Sequence, residues 1–203
     1  MFYRFIRAVF RVLAAVLMPT KVIGRERLKR EGGYILVCNH QTAMDIPALM
    51  AACPRTIHFM AKSTFFDKPV VGFLFKKLHA FPVHSNTADM QAIRQGIKVL
   101  KQGEVLGVFP QGTRRKYRPI LLRREVYGGV ALLALKAQAV IVPAMFEKSP
   151  LLFQRNVLHV GEEIDLKKYA GEKINQELLE RVTDEYTEAM NRLLAGTGAV
   201  NRE

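Results

Sequence analysis

Two short blocks carry residue types that could do chemistry. The first, Asn39-His40-Gln41-Thr42-Ala43-Met44-Asp45, directly follows the apolar run Tyr34–Cys38. A histidine paired with a carboxylate can act as a general base. The carboxylate fixes the imidazole tautomer and stabilises the imidazolium, while the other ring nitrogen takes a proton. An offset of five leaves two side chains about 140° apart on a regular helix, so a helix face would not pair His40 with Asp45. A turn would, with His40 ahead of a helix and Asp45 in its first turn. Taken alone, this spacing is common and favours a structural pair over a base. Cys38 shares a side with His40 on a strand, so a thiol nucleophile with a neighbouring base is conceivable. A small buried residue completing the apolar run is the reading that its neighbours favour.

The second block is Phe109-Pro110-Gln111-Gly112-Thr113-Arg114-Arg115. Gly112 permits close backbone approach, Thr113 offers a hydroxyl, and Arg114 a planar fork suited to phosphate. Lys116, Arg118, Arg123 and Arg124 enlarge the positive patch. A solvated basic loop is the alternative; a place at the carboxyl end of a central strand favours phosphate.

Short apolar runs alternate with helical patterns along the body. Strands are expected at Tyr34–Cys38, Ile57–Ala61, Ala80–Val83, Glu104–Pro110, Val140–Phe146 and Val157–Val160. Helices are expected at Met44–Ala52, at Thr64–Leu78 with a break at Pro69, at Thr87–Gln102 capped by Thr87, at Val126–Gln138 and at 174–194. This order implies a single α/β domain whose central sheet is mainly parallel, or mixed, and covered by helices on both faces. Such sheets bind ligands at the carboxyl ends of their strands, where both blocks fall.

The chain has 203 residues, 49% hydrophobic and 24% charged, enough for a real core and against global disorder. Its formal net charge is +13. Residues 1–160 hold 25 basic and 8 acidic side chains, whereas 161–203 hold 6 and 10. A basic body suggests an anionic partner. No nucleic-acid motif accompanies the charge, so nucleic acid is not the expected one. Two cysteines, Cys38 and Cys53, exclude a disulfide scaffold and suit a reducing compartment.

The N-terminus reads MFYRFIRAVFRVLAAVLM, then Pro19. Arg4, Arg7 and Arg11 share one helical stripe, and apolar residues rich in Phe fill the rest. Three arginines in so short a run argue against a spanning helix. Residues 1–24 are therefore expected as an N-terminal amphipathic helix at a membrane interface, with 25–203 as the catalytic domain.

The two blocks in this order resemble the glycerolipid acyltransferases, bacterial 1-acylglycerol-3-phosphate acyltransferases in particular. AFPVHS (Ala80–Ser85) is similar to that family's second block, and AVIVPAM (Ala139–Met145) to its final one, with Pro143 matching the family proline. The resemblance implies that His40 deprotonates the free hydroxyl of lysophosphatidic acid and that Asp45 orients His40. It implies direct attack on the thioester of acyl carrier protein or coenzyme A, with no metal or redox cofactor. Gln111, Gly112, Thr113, Arg114, Ser85 and Pro143 would contribute to substrate binding. The product would be phosphatidic acid, made at the cytoplasmic face of the cell membrane by a peripheral or monotopic enzyme. The chain departs from the family at Gln111, usually Glu, and at Ser85, usually Arg; His84 and Arg94 lie nearby. The alternatives are another lysolipid or alcohol acceptor, or a basic binding protein without catalysis.

Overall fold

A computed structural model describes residues 13, 16–84, 89–115, 120–195 and 197. Its strands are β1 (Thr20–Ile23), β2 (Tyr34–Cys38), β3 (Ile57–Lys62), β4 (Phe81–Val83), β5 (Val105–Val108), β6 (Val140–Phe146) and β7 (Asn156–Val160). Its described α-helices are α1 (Asp45–Ala52), α2 (Pro69–Lys77), α3 (Met90–Lys101), α4 (Gly129–Ala137) and α5 (Gln176–Arg192).

The strands form one sheet of order β1-β7-β6-β2-β5-β3-β4. The run β6-β2-β5-β3-β4 is parallel throughout. β7 is antiparallel to β6, and β1 is parallel to β7. The sheet is thus mainly parallel and mixed, as the alternation of elements implied. Alternate residues of the central strands face opposite layers. Ile35, Val37, Leu106, Ile141 and Met145 pack with side chains of α3, α4 and α5. Tyr34, Leu36, Cys38, Val142, Ala144 and Phe146 pack with Ala48, Leu49 and Ala52 of α1, and with Met18 and Leu28. The strands buried on both faces are the ones that read as unbroken apolar runs.

Several expected elements begin or end elsewhere. α3 starts at Met90 and is capped by Asp89, which accepts from the backbone N–H of Gln91 and Ala92. Thr87 lies outside the described residues. The expected helix from residue 64 is a 3-10 turn, Ser63–Phe65, followed by α2 with Pro69 in its first turn, where a missing N–H costs nothing. The expected helix from Val126 begins at Gly129, after a 3-10 turn at Arg123–Glu125. The helix expected over residues 1–24 falls mostly on residues outside those described; at its end, Thr20–Ile23 form strand β1 instead. No described helix is long and apolar enough to cross a membrane.

Gly33 sets one close approach. The chain entering β2 passes against the last turn of α3, and a Cβ at Gly33 would overlap the Leu100 carbonyl.

Candidate active site

The site lies where β2 ends. Backbone pairing stops at Cys38, but side chains continue it on both flanks. On the β6 flank, Asn39 Oδ1 accepts from the Phe146 N–H at 2.9 Å and Asn39 Nδ2 donates to the Phe146 carbonyl at 3.0 Å. On the β5 flank, the His40 N–H donates to Gln111 Oε1 at 3.0 Å, and the His40 carbonyl accepts from the Arg115 N–H at 2.7 Å. His40 therefore has both backbone groups tied to the loop that follows β5.

The chain then turns into α1, whose first residue is Asp45. Asp45 is fully buried, and its Oδ2 receives three donors: His40 Nδ1 at 2.7 Å, Gln41 N–H at 2.6 Å and Thr42 N–H at 2.8 Å. The carboxylate also sits at the positive end of α1, which favours its charge. Because the carboxylate can only accept, Nδ1 carries the shared proton and Nε2 is the basic nitrogen. Asp45 Oδ1 is buried without a hydrogen-bond partner. The pairing through a turn that the spacing required is present.

The His40 ring stacks on Phe109, centroids 4.1 Å apart, and Phe109 in turn lies parallel to Phe59 at 6.0 Å. These rings wall one side of the imidazole and leave its side chain 14% exposed. Cys38 is wholly buried, and burial and the Asp45 charge push its thiol well above its usual range. It is a core residue, and a thiolate there is disfavoured.

Gln111 is 1% exposed, with Oε1 spent on the His40 N–H and Nε2 buried without a partner. It holds the histidine backbone. Gly112 has φ of 62°, the left-handed conformation that a tight turn needs, and its N–H donates to the Phe109 carbonyl. Gly112, Thr113 and Arg114 are exposed, and Arg114 has no ion pair or hydrogen bond among the described residues. Arg115 pairs with Glu125 at 3.5 Å, and Arg123 is bound by Asp184 of α5, so both are removed from the open patch. Lys116 and Arg118 lie outside the described residues, as does Ser85.

Pro143 is the proline of the final block. It is buried inside β6, in register with Val37. Its carbonyl accepts from Gly161 on the β7 side, and its missing N–H faces that same side, between the Ile141–Ile164 bridge and the Ala144–Val160 pair. A proline fits this interior strand because it sits where the ladder to β7 is interrupted.

A second histidine–carboxylate pair repeats the spacing. His84 Nδ1 lies 2.8 Å from Asp89 Oδ2, after β4 and before α3, but its side chain is 64% exposed. Asp89 is held far below the usual carboxylate range by the N–H groups of Ala92 and His84 and by the His84 ring. Arg94 is exposed on α3. The sequence did not show the hold of Gln111 on His40, the Phe109 stack or the Asn39 bridge. Their partners lie up to 107 residues away, and no local spacing encodes them.

The sequence profile of a family described as Acyltransferase matches residues 19–147. The 1-acyl-sn-glycerol-3-phosphate acyltransferase of Bacillus subtilis is 33% identical over 146 residues, 71% of each chain. The protein of that name from Saccharomyces cerevisiae is 26% identical over 201 residues, 92% of this chain and 65% of its own length. The crystal structure of the 1-acyl-sn-glycerophosphate (LPA) acyltransferase PlsC from Thermotoga maritima superposes with a TM-score of 0.71 at 21% identity, over 95% of this chain and 80% of that one, which shows a shared fold. A family match spanning both blocks, together with a relative of this identity and coverage, establishes that the chain belongs to the acyltransferase family.

Proposed function

We propose that this acyltransferase moves a fatty acyl group from an acyl thioester to the free hydroxyl of lysophosphatidic acid, giving phosphatidic acid. The observation that carries this reading is the 2.7 Å bond between His40 Nδ1 and the fully buried Asp45, beside an exposed arginine loop. Nε2 of His40 takes the hydroxyl proton as the acceptor oxygen attacks the thioester carbonyl carbon. Asp45 stabilises the imidazolium that results. The tetrahedral intermediate collapses with cleavage of the carbon–sulfur bond, and Nε2 returns the proton to the departing sulfur. Atoms and charge balance without a metal or a redox group.

Arg114, with Thr113 and the Gly112 turn, takes the acceptor phosphate, since an exposed guanidinium with no partner among the described residues is suited to it. Gln111 acts one step removed, by holding the His40 backbone. The names and coverage of the relatives support lysophosphatidic acid as acceptor. We assign acyl carrier protein or coenzyme A as the carrier, both anionic and matched to the net charge of +13. The lipid acceptor and the basic body also support work at an anionic membrane surface. We assign the enzyme to the cytoplasmic face, held peripherally or monotopically.

The test uses purified protein in mixed micelles with lysophosphatidic acid and either donor, following thiol release and phosphatidic acid together. The His40→Ala variant should lose activity by about 10²–10⁴ with its melting temperature intact. Wild-type protein that transfers to a different alcohol but never to lysophosphatidic acid would overturn the acceptor. Unchanged activity in His40→Ala would overturn the base.

A further inference from the structure

The segment joining β6 to β7 leaves the sheet at the edge that carries His40, since Phe146 is bridged to Asn39 there. It exposes three consecutive large apolar side chains: Leu151 at 46%, Leu152 at 46% and Phe153 at 79%. The turn is firmly built. Asn156, 8% exposed, accepts from the Leu151 N–H at 3.0 Å and donates to the Leu151 carbonyl at 3.2 Å. The Phe153 N–H donates to the Leu17 carbonyl at 2.6 Å, and the Asn156 N–H to that of Pro19 at 2.8 Å. Phe153 has φ of 57°, a left-handed conformation that is strained for a bulky side chain.

Folding alone does not explain a clamped turn that holds a strained phenylalanine out in water. A hydrocarbon phase does, because it takes up all three side chains at once. The apolar surface continues across the Phe153–Leu17 bond to Val16 and Leu13, 69% and 53% exposed. Lys148 and Arg155 flank the turn, exposed and without a carboxylate partner among the described residues. Glu147, the neighbouring carboxylate, is engaged by His159 Nε2 at 2.5 Å. Apolar tips flanked by the cations Lys148 and Arg155 match the order of a bilayer, with acyl chains inside and anionic headgroups outside.

We propose that Leu151-Leu152-Phe153 is an insertion turn that docks the active-site edge onto an anionic lipid surface. This rests on the reading that the acceptor is a membrane lipid. The rival surface is on α2, where Val70, Phe73 and Leu74 are 79%, 64% and 52% exposed, beyond β3 on the opposite side of the site.

The full chain is sedimented with vesicles of phosphatidylcholine, with and without phosphatidylglycerol. Binding should require phosphatidylglycerol. Replacing Leu151, Leu152 and Phe153 together by Ser should weaken binding about tenfold or more, and the matching triple change at Val70, Phe73 and Leu74 should weaken it by less. Phe153→Gly relieves the left-handed strain, so its melting temperature should equal or exceed that of the wild type while vesicle binding falls. Transfer to a short-chain acceptor dispersed as monomers should proceed at the wild-type rate in all these variants. Wild-type affinity in both turn variants, a larger loss from the α2 change, or wild-type protein that ignores anionic vesicles would each overturn the assignment. Wild-type protein that binds vesicles through the turn yet transfers nothing would overturn the acceptor reading alone.

Discussion

Replacing Asp45 by Asn separates two roles that a carboxylate beside a histidine can play. The three donors on Asp45 converge on Oδ2, while Oδ1 has no hydrogen-bond partner. An asparagine that puts its carbonyl oxygen in the Oδ2 position keeps all three bonds and the same His40 tautomer. Its amide nitrogen falls in the Oδ1 position, where no hydrogen bond is broken. What disappears is the charge. At the observed 2.7 Å and an effective dielectric of about 20, full charges attract by about 6 kcal/mol. The amide dipole retains part of this, and the two backbone donors had already drawn on the charge. A net loss of about 3–4 kcal/mol in stabilising the imidazolium follows, which is a fall of about 10²–10³ in kcat. KM for both substrates should stay within about threefold, because Asp45 is wholly buried and touches neither. Asp45→Ala should lose activity as well, and in addition lower the melting temperature, since the Gln41 and Thr42 N–H groups lose their acceptor. Steady-state thiol release with each substrate varied, beside thermal unfolding, reads these effects separately. An Asn variant within threefold of wild-type kcat would refute the argument that the charge is used.

Arg114→Ala should raise KM for the acceptor about tenfold or more and leave KM for the donor unchanged, and Arg114→Lys should recover only part of the loss. Asp89→Ala removes the cap of α3 and should cost about 1 kcal/mol by urea unfolding at neutral pH. The Asp89 carboxyl titrates far below its ordinary range in the folded chain, so this advantage is fully present above about pH 4 and shrinks progressively as pH falls further. His58 is pushed below its ordinary value by burial and by His79, so charging it opposes folding. Stability should decline as pH drops from about 6.5, and His58→Gln should flatten that decline in a pH series of melting temperatures. Gly33→Ala drives a methyl group into the Leu100 carbonyl and should cost about 3 kcal/mol or more, visible as a large drop in melting temperature.

Elements set by continuous local pattern were legible. Val140–Phe146 is β6 residue for residue, because seven apolar residues buried on both faces admit little else. Boundaries set by one side chain were less so. Thr87 and Asp89 are both good caps, and the sequence does not say which one meets the N–H groups of α3. β1 was not legible at all: four residues, Thr20–Ile23, become a strand only because β7 lies beside them, 136 positions along the chain. In the site, the His40–Asp45 pair was readable from a strand ending into a helix. Gln111 was readable as part of the loop but not as the residue that holds His40, since the direction of its side chain depends on contact between two distant strand ends. Pro143 matched a sequence block, and the interrupted ladder to β7 explains how a proline fits inside this strand.

The two backbone bonds between His40 and the loop after β5 have a consequence for local opening. The N–H of His40 and the N–H of Arg115 are each released only when the histidine and the loop part company. They belong to one cooperative opening unit, and their amide protons should exchange with solvent at matched free energies. Arg114 is one peptide bond from that unit. An anion that immobilises Arg114 would therefore slow exchange at the His40 amide, although it touches neither the histidine nor β2.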